Sequence, residues 1–300
     1  MIWIQAFIFI ILPMILLLHL LKNVYPGRKL LIADWLGTGM FIAFLFFIGP
    51  WHIFIYYLRY VWVVLFIVTT FFVIKKVSRL PVKGPKNKSY KFSMGIAIFL
   101  TIYFGFVAVT GITGYFFTDK EKAIKLEFPM KDGVFSTGHG GADPSINYHN
   151  EYPPQQYAYD ILQINGFGMR AAGLTPDDLE KYKIYGTPLY SPCSGEVLAA
   201  VDQYDDIPPS LSSDSKPEDP AGNHIILACK GAEVHIAHMK PGTVEVEKGD
   251  EMNTGDILGE VGNTGNTTEP HLHIHAEKDG VGVPITFNDR FLKRNSLVFN

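Results

Sequence analysis

The chain has 300 residues, with 26 Lys and Arg against 29 Asp and Glu and a formal net charge of −3. That balance does not point to nucleic acid, whose binding needs a concentrated positive field. The length allows two domains, or one domain behind a membrane region, and the averages conceal two unlike halves. Residues 1–118 are apolar and aromatic, whereas residues 125–300 have the Gly, Pro, Asp, Glu and His content of a water-facing domain.

In chain order, the first half predicts a bundle of four transmembrane α-helices at residues 2–21, 30–48, 53–74 and 92–117, because about 20 apolar residues cross the hydrocarbon layer as a helix. The first is too long and too poor in N-terminal charge for a cleavable signal peptide. Pro13 is expected to bend it without ending it. Only "GPWH" separates the second and third spans, which predicts a tight helical hairpin, with Arg59 near the membrane surface. Buried helices of a soluble protein are the alternative, but no polar faces exist to cover them.

Lys22, Arg28 and Lys29 fall in one loop, and Lys75, Lys76, Arg79, Lys83, Lys86, Lys88 and Lys91 in another. Four spans put both loops on the same side, which the positive-inside rule makes cytoplasmic. The expectation is a multi-pass protein of the cytoplasmic membrane, embedded in the lipid bilayer. A linker at residues 119–135 then leads to an extracytoplasmic domain at residues 136–300. Cys193 and Cys229 in such a domain either form one disulfide or are two buried small residues.

From Phe128 onward, short β-rich runs broken by Gly, Pro and Asn predict an all-β domain. The candidate strands are "YAYDILQI", "PLYS", "GEVLAAV", "NHIILAC", "AEVHIAHM", "ILGEVG" and "HLHIHAEK". In "TPDDLEKYKIYG", Thr175 is placed to cap one short surface helix whose first turn holds Pro176, Asp177 and Asp178. Residues 202–221, rich in Pro, Ser and Asp, read as a loop. "GNTGN" at 262–266 lacks the Lys and helix of a phosphate loop and reads as a turn between strands.

The stretch "EPHLHIHAE" carries the chemistry. On a strand, His271, His273 and His275 share one face while Leu272, Ile274 and Ala276 face the core. Neighbouring imidazoles then lie roughly 7 Å apart, so one can bind a metal while the next reaches the metal's water or a substrate. A solvated polar strand face would give the same pattern. Neither a Gly-x-Ser-x-Gly elbow nor "HExxH" is present.

Its surroundings narrow the choice. "YGTPLYSPCSGEV", "GNHIILAC", "VHIAHMKPG", "VEVEKGDEMNTGDILGEVGNTGN" and "EPHLHIHAE" follow one another at spacings that resemble the lysostaphin-type (LytM-like) zinc metallopeptidases, which cleave peptide bridges in bacterial cell walls. The likeness covers about residues 140–285, is specific from Gly186 onward, and does not extend to the membrane half. It implies an antiparallel, all-β peptidase domain of the duplicated-hybrid-motif type and Zn2+ as cofactor.

By the resemblance, His273, the second His of "HLH", is a zinc ligand, and His271 contacts the water or the developing oxyanion. "IAHM" matches the family's "YAHL", which makes His238 the other catalytic imidazole, with Ile236 replacing the usual Tyr. His275 and His235 have no counterpart role, and His224 falls at the cleft wall. The remaining ligands have two candidate pairs. "HGGAD", His139 to Asp143, fits the family's His-x-Gly-x-Asp literally, whereas His149 and Asp160 form a wider pair. We favour His149 and Asp160, because Asp160 lies on a strand entering the core and rigid elements hold ligands best.

Two His and one Asp with a fourth position open is a catalytic zinc arrangement, in which zinc brings the pKa of its water to about 7 and polarises the scissile carbonyl. The expectation is a membrane-anchored zinc endopeptidase acting on peptidoglycan cross-bridge or stem peptides. Two alternatives are a catalytically silent LytM-like binding or regulatory module and a zinc peptidase for an exported peptide or protein.

Overall fold

The computed structural model describes residues 2–116, 122–209 and 218–300. The last residue of the fourth expected span, Phe117, residues 119–121 of the expected linker and residues 210–217 of the expected loop lie outside the described residues. The described chain forms two compact units: Met1–Trp51 with Tyr57–Thr113, and His52–Tyr56 with Gly114–Asn300.

The first unit holds four long apolar helices, Ile2–Lys22, Arg28–Ile48, Leu58–Arg79 and Lys88–Tyr115. Other parts of the chain cover only 11–39% of their most apolar stretches, so most of each apolar surface is available to lipid. Polar side chains satisfy the breaks in the helices. Pro13 has no N–H to offer the carbonyl of Phe9, four residues back, and a π-helical turn at Phe7–Ile11 precedes it. The Trp62 indole donates to that carbonyl at 3.0 Å.

Where the first helix ends, Lys76 Nζ donates to the carbonyls of Leu20, Leu21 and Asn23, at 3.1, 3.1 and 2.6 Å. It thereby caps carbonyls that have no partner within their own helix. Arg59, expected near the membrane surface, is buried, with its guanidinium 4.0 Å from the centre of the Phe46 ring. The third helix starts at Leu58 rather than at residue 53, so the connection is longer than a tight "GPWH" turn. Residues 52–56 belong to the second unit. Tyr56 N donates to Gly168 O at 2.9 Å, Tyr56 Oη to Asn295 O at 2.7 Å, and Arg170 Nη1 to Ile53 O at 3.1 Å.

In the second unit the strands are β1 (Ile124–Leu126), β2 (Val134–His139), β3 (Tyr159–Ile164), β4 (Pro188–Tyr190), β5 (Gly195–Val201), β6 (His224–Cys229), β7 (Ala232–Ala237), β8 (Glu251–Met252), β9 (Ile257–Glu260), β10 (Leu272–Lys278), β11 (Val281–Val283), β12 (Ile285–Phe287) and β13 (Leu297–Phe299). The main sheet is antiparallel and runs β13-β2-β3-β10-β7-β6-β5-β8, with β11 also paired to β10. Two small sheets pair β4 with β9 and, in parallel, β1 with β12. β1 lies within the stretch expected as linker.

The seven strands expected from sequence all occur. β1, β2, β8 and β11–β13 were not expected; all but the six-residue β2 have only two or three residues, too few to show periodicity. The apolar faces of the strands build one core, with Tyr159, Ile161, Val234, Ile236, Leu272 and Ile274 all fully buried. Cys193 and Cys229 form a disulfide within it.

The helix expected after Thr175 does not form. Only a 3₁₀ turn at Leu179–Lys181 appears, capped by Asp178 Oδ1 accepting from Glu180 N at 3.1 Å. Tyr182 instead bridges to Ala171 as extended chain, and so short a segment cannot offset the cost of helix nucleation.

Candidate metal centre

Strand register explains how distant residues meet. On adjacent antiparallel strands, directly opposed side chains share a face. His273 of β10 lies opposite Asp160 of β3 on one side and Ala237 of β7 on the other. His273 and Asp160 therefore project together, and small Ala237 leaves room beside them. His149 arrives from a 3₁₀ turn, Tyr148–Glu151. Buried Asn147 pins that turn by donating to Gly141 O and Ala158 O, at 3.0 and 3.1 Å.

Asp160 is the hub. Its carboxylate lies 3.0–3.1 Å from His149 Nε2, 2.9 Å from His273 Nδ1 and 3.5 Å from His271 Nε2. Burial works against its charge, but His149 and His271 outweigh burial and hold the carboxyl well below the usual carboxylate range. The candidate donor atoms of His149, Asp160 and His273 all lie within 4.8 Å of one another, as do those of His238, His271 and His273. The two sets share His273. A divalent cation fits the first in charge and chemistry, with two imidazoles, one carboxylate and no fourth protein ligand among the described residues.

His238 and His271 stand on the other side of His273, their rings centred 4.9 Å apart. β7 ends at Ala237, and His238 adopts φ +63°, a left-handed conformation costly for a non-glycine residue. The "GNTGN" turn sustains it: His238 Nδ1 donates to Thr264 O at 2.8 Å, and Gly262 N donates to His238 O at 3.0 Å. Gly222 and Gly265, both at positive φ, allow that turn to press against residues 220–222, because a Cβ on either would come within 2.5 Å of the other segment's backbone. His271 Nδ1 donates in the same way to Glu269 O at 2.8 Å.

Both rings thus carry hydrogen on Nδ1 and leave Nε2 for the site. Burial, reinforced by His271 and His273, holds His238 well below the ordinary imidazole range. For His271, burial pushes down, but Asp160 outweighs it and raises the pKa. One imidazole is tuned as a neutral group and its neighbour as a readily protonated one, a division suited to acid–base work.

The literal motif "HGGAD" does not converge on this centre. His139 accepts from Arg294 Nη2 at 2.8 Å and packs on Tyr148, with ring centres 4.5 Å apart. Asp143 accepts from Ser145 N and Oγ in its own turn, at 2.9 and 2.5 Å. The segment instead scaffolds the His149 turn.

His149, His238, His273 and His275 line a cleft of 520 Å³ whose walls include Tyr152, His224 and Asn266. Asp160, His139 and His271 border a second hollow of 180 Å³, together with His52. His52 is buried, and its Nδ1 has no hydrogen-bond partner among the described residues. Sequence reasoning missed it, because it sits amid hydrophobic residues and far along the chain from His139, Asp160 and His271. It also missed Arg170, which clasps Glu269 beside His271. An ion pair between residues 99 apart leaves no local signal.

Residues 181–285 match the family model described as Peptidase family M23. The chain carries an M23 peptidase domain. Among solved structures, a zinc-containing peptidase from Vibrio cholerae is similar at 23% identity over 34% of this chain and 26% of that one, with a TM-score of 0.26. The catalytic domain of the antimicrobial peptidase lysostaphin from Staphylococcus simulans is similar at 21% identity over 49% and 91%, with a TM-score of 0.22. A complex of SpoIIIAH and SpoIIQ is similar at 16% over 52% and 94%, with a TM-score of 0.33. This chain therefore spans about a quarter of the length of the Vibrio cholerae protein. No curated protein matches it. The M23 assignment rests on the family match and on the order of its motifs, and the unit of apolar helices lies outside the matched residues.

Proposed function

We propose that this chain is a membrane-anchored zinc metallo-endopeptidase that hydrolyses peptidoglycan cross-bridge or stem peptides outside the cytoplasm. The observation that carries the reading is that two donor sets, His149 with Asp160 and His238 with His271, meet at the shared His273, each set with its atoms within 4.8 Å of one another. In this reading His149 Nε2, the Asp160 carboxylate and His273 Nδ1 hold the metal. When bound, zinc supplies Lewis acidity toward a scissile carbonyl and water. His238 Nε2, free of hydrogen, would accept a proton, and His271 would stabilise the developing oxyanion or return a proton to the leaving amine. The backbone carbonyls of Thr264 and Glu269 keep both rings in the tautomer these roles need.

Four apolar helices anchor the domain in the cytoplasmic membrane, and the basic loops place its C-terminal domain on the outer side. The disulfide suits that oxidising side. Incubating the purified full chain with cell-wall fragments is expected to release new amine ends, and His273→Ala to release none. Metal-loaded protein that generates no amine ends would refute the cell-wall peptidase reading.

A further inference from the structure

The same sheet face carries a second set of donors that the peptidase reading does not use. His275 of β10 lies directly opposite His235 of β7, and Glu277, two residues on, projects from that face as well. The two rings stack nearly parallel, 4.4 Å between centres, and His235 Nε2 lies 3.7 Å from Glu277 Oε1. The donor atoms of His235, His275 and Glu277 fall within 4.8 Å of one another, and all three residues line the 520 Å³ cleft. His235 Nε2 is buried with no hydrogen-bond partner among the described residues, a costly state for an imidazole nitrogen unless something binds there.

We propose that His235, His275 and Glu277 form a second cation site that opposes metal binding at the His149, Asp160 and His273 centre. Two imidazoles and a carboxylate select zinc or a similar late first-row divalent ion over magnesium or calcium. The inference goes beyond the peptidase reading and needs only residues of β7 and β10.

The opposition follows from one hydrogen bond. His273 Nε2 lies 3.0 Å from His275 Nδ1. With Nδ1 of His273 turned to the first centre, its Nε2–H donates to His275 Nδ1, and His275 keeps its own hydrogen on Nε2. A cation on either nitrogen of His275 ends this arrangement. At Nδ1 it takes the accepting lone pair. At Nε2 it moves the His275 hydrogen to Nδ1, where it faces the one on His273. Either way the His273 ligand loses the partner that orients it, which typically costs about 10–100-fold in metal affinity. By linkage the first metal weakens the second by the same factor.

The test is Zn2+ titration of the metal-free full chain in detergent, read by calorimetry and metal content, with circular dichroism to confirm folding. Wild type is expected to bind two equivalents, and Glu277→Gln and His235→Ala one. His149→Ala, lacking the first centre, is expected to bind its single equivalent about 10–100-fold more tightly than wild type binds its second. One equivalent in wild type, two in folded Glu277→Gln, or an unchanged second affinity in His149→Ala would overturn the inference. If Glu277→Gln loses an equivalent while His149→Ala keeps both, the second site stands and the ligand set of the peptidase reading fails.

Discussion

Arg170 offers a quantitative test of how the site is supported. Its side chain is 2% exposed, and Nε and Nη2 donate to both oxygens of Glu269, at 2.6–2.8 Å. Nη1 and Nη2 also reach Ile53 O and Leu174 O, at 3.1 and 2.9 Å. Arg170→Met keeps the bulk but strands the Glu269 carboxylate, itself only 13% exposed. Breaking a buried pair in this way costs about 3–5 kcal/mol. In a unit of about 190 residues, each kcal/mol lowers Tm by about 2–4 °C, so a drop of about 6–20 °C is expected. Arg170→Met/Glu269→Met removes both charges and is expected to recover most of the loss. Thermal melts of the full chain in detergent, followed by circular dichroism, read both variants. A single variant melting within about 2 °C of wild type, or a double variant no better than the single, would refute the argument. Because Glu269 O holds His271, Arg170→Met is also expected to lower turnover of the surviving folded protein.

Three further predictions follow from the same geometry. Asp160→Asn is expected to weaken zinc binding by more than the about 10–100-fold that loss of an outer partner costs, whereas Asp143→Asn leaves it unchanged; metal content after dialysis checks both, and the reverse pattern would restore the "HGGAD" pair. His238→Ala and His271→Ala are each expected to keep the first zinc yet lose about 10²–10⁴-fold in kcat, read as amine release from wall fragments. Replacing Cys193 and Cys229 with Ala opens a loop closed across 36 residues, with an expected loss of about 4 kcal/mol in unfolding free energy; a Tm unchanged to within about 2 °C would contradict it.

Much of this molecule is legible in local sequence, and the reason is period and length. Runs of about 20 apolar residues and alternating β-patterns act over windows that a linear reading can see. Motif order from Gly186 onward pointed to His238, His271 and His273, whose donor atoms the structure brings within 4.8 Å of one another. The helix expected after Thr175 failed because a cap signals where a helix would start, not whether enough turns follow to form one.

Local sequence therefore determined the four apolar helices, seven of the strands, and the alternation that sets His271, His273 and His275 apart from Leu272, Ile274 and Ala276. It favoured Asp160 over Asp143, but it could not show that Asp160 would face His273 or that His235 would face His275. Those outcomes depend on register between strands more than a hundred residues apart in one case and forty in the other. Tertiary structure alone decided them: β3, β10 and β7 had to pair so that their apolar faces shared one core, and that register set Asp160 beside His273 and His235 beside His275 on the opposite face.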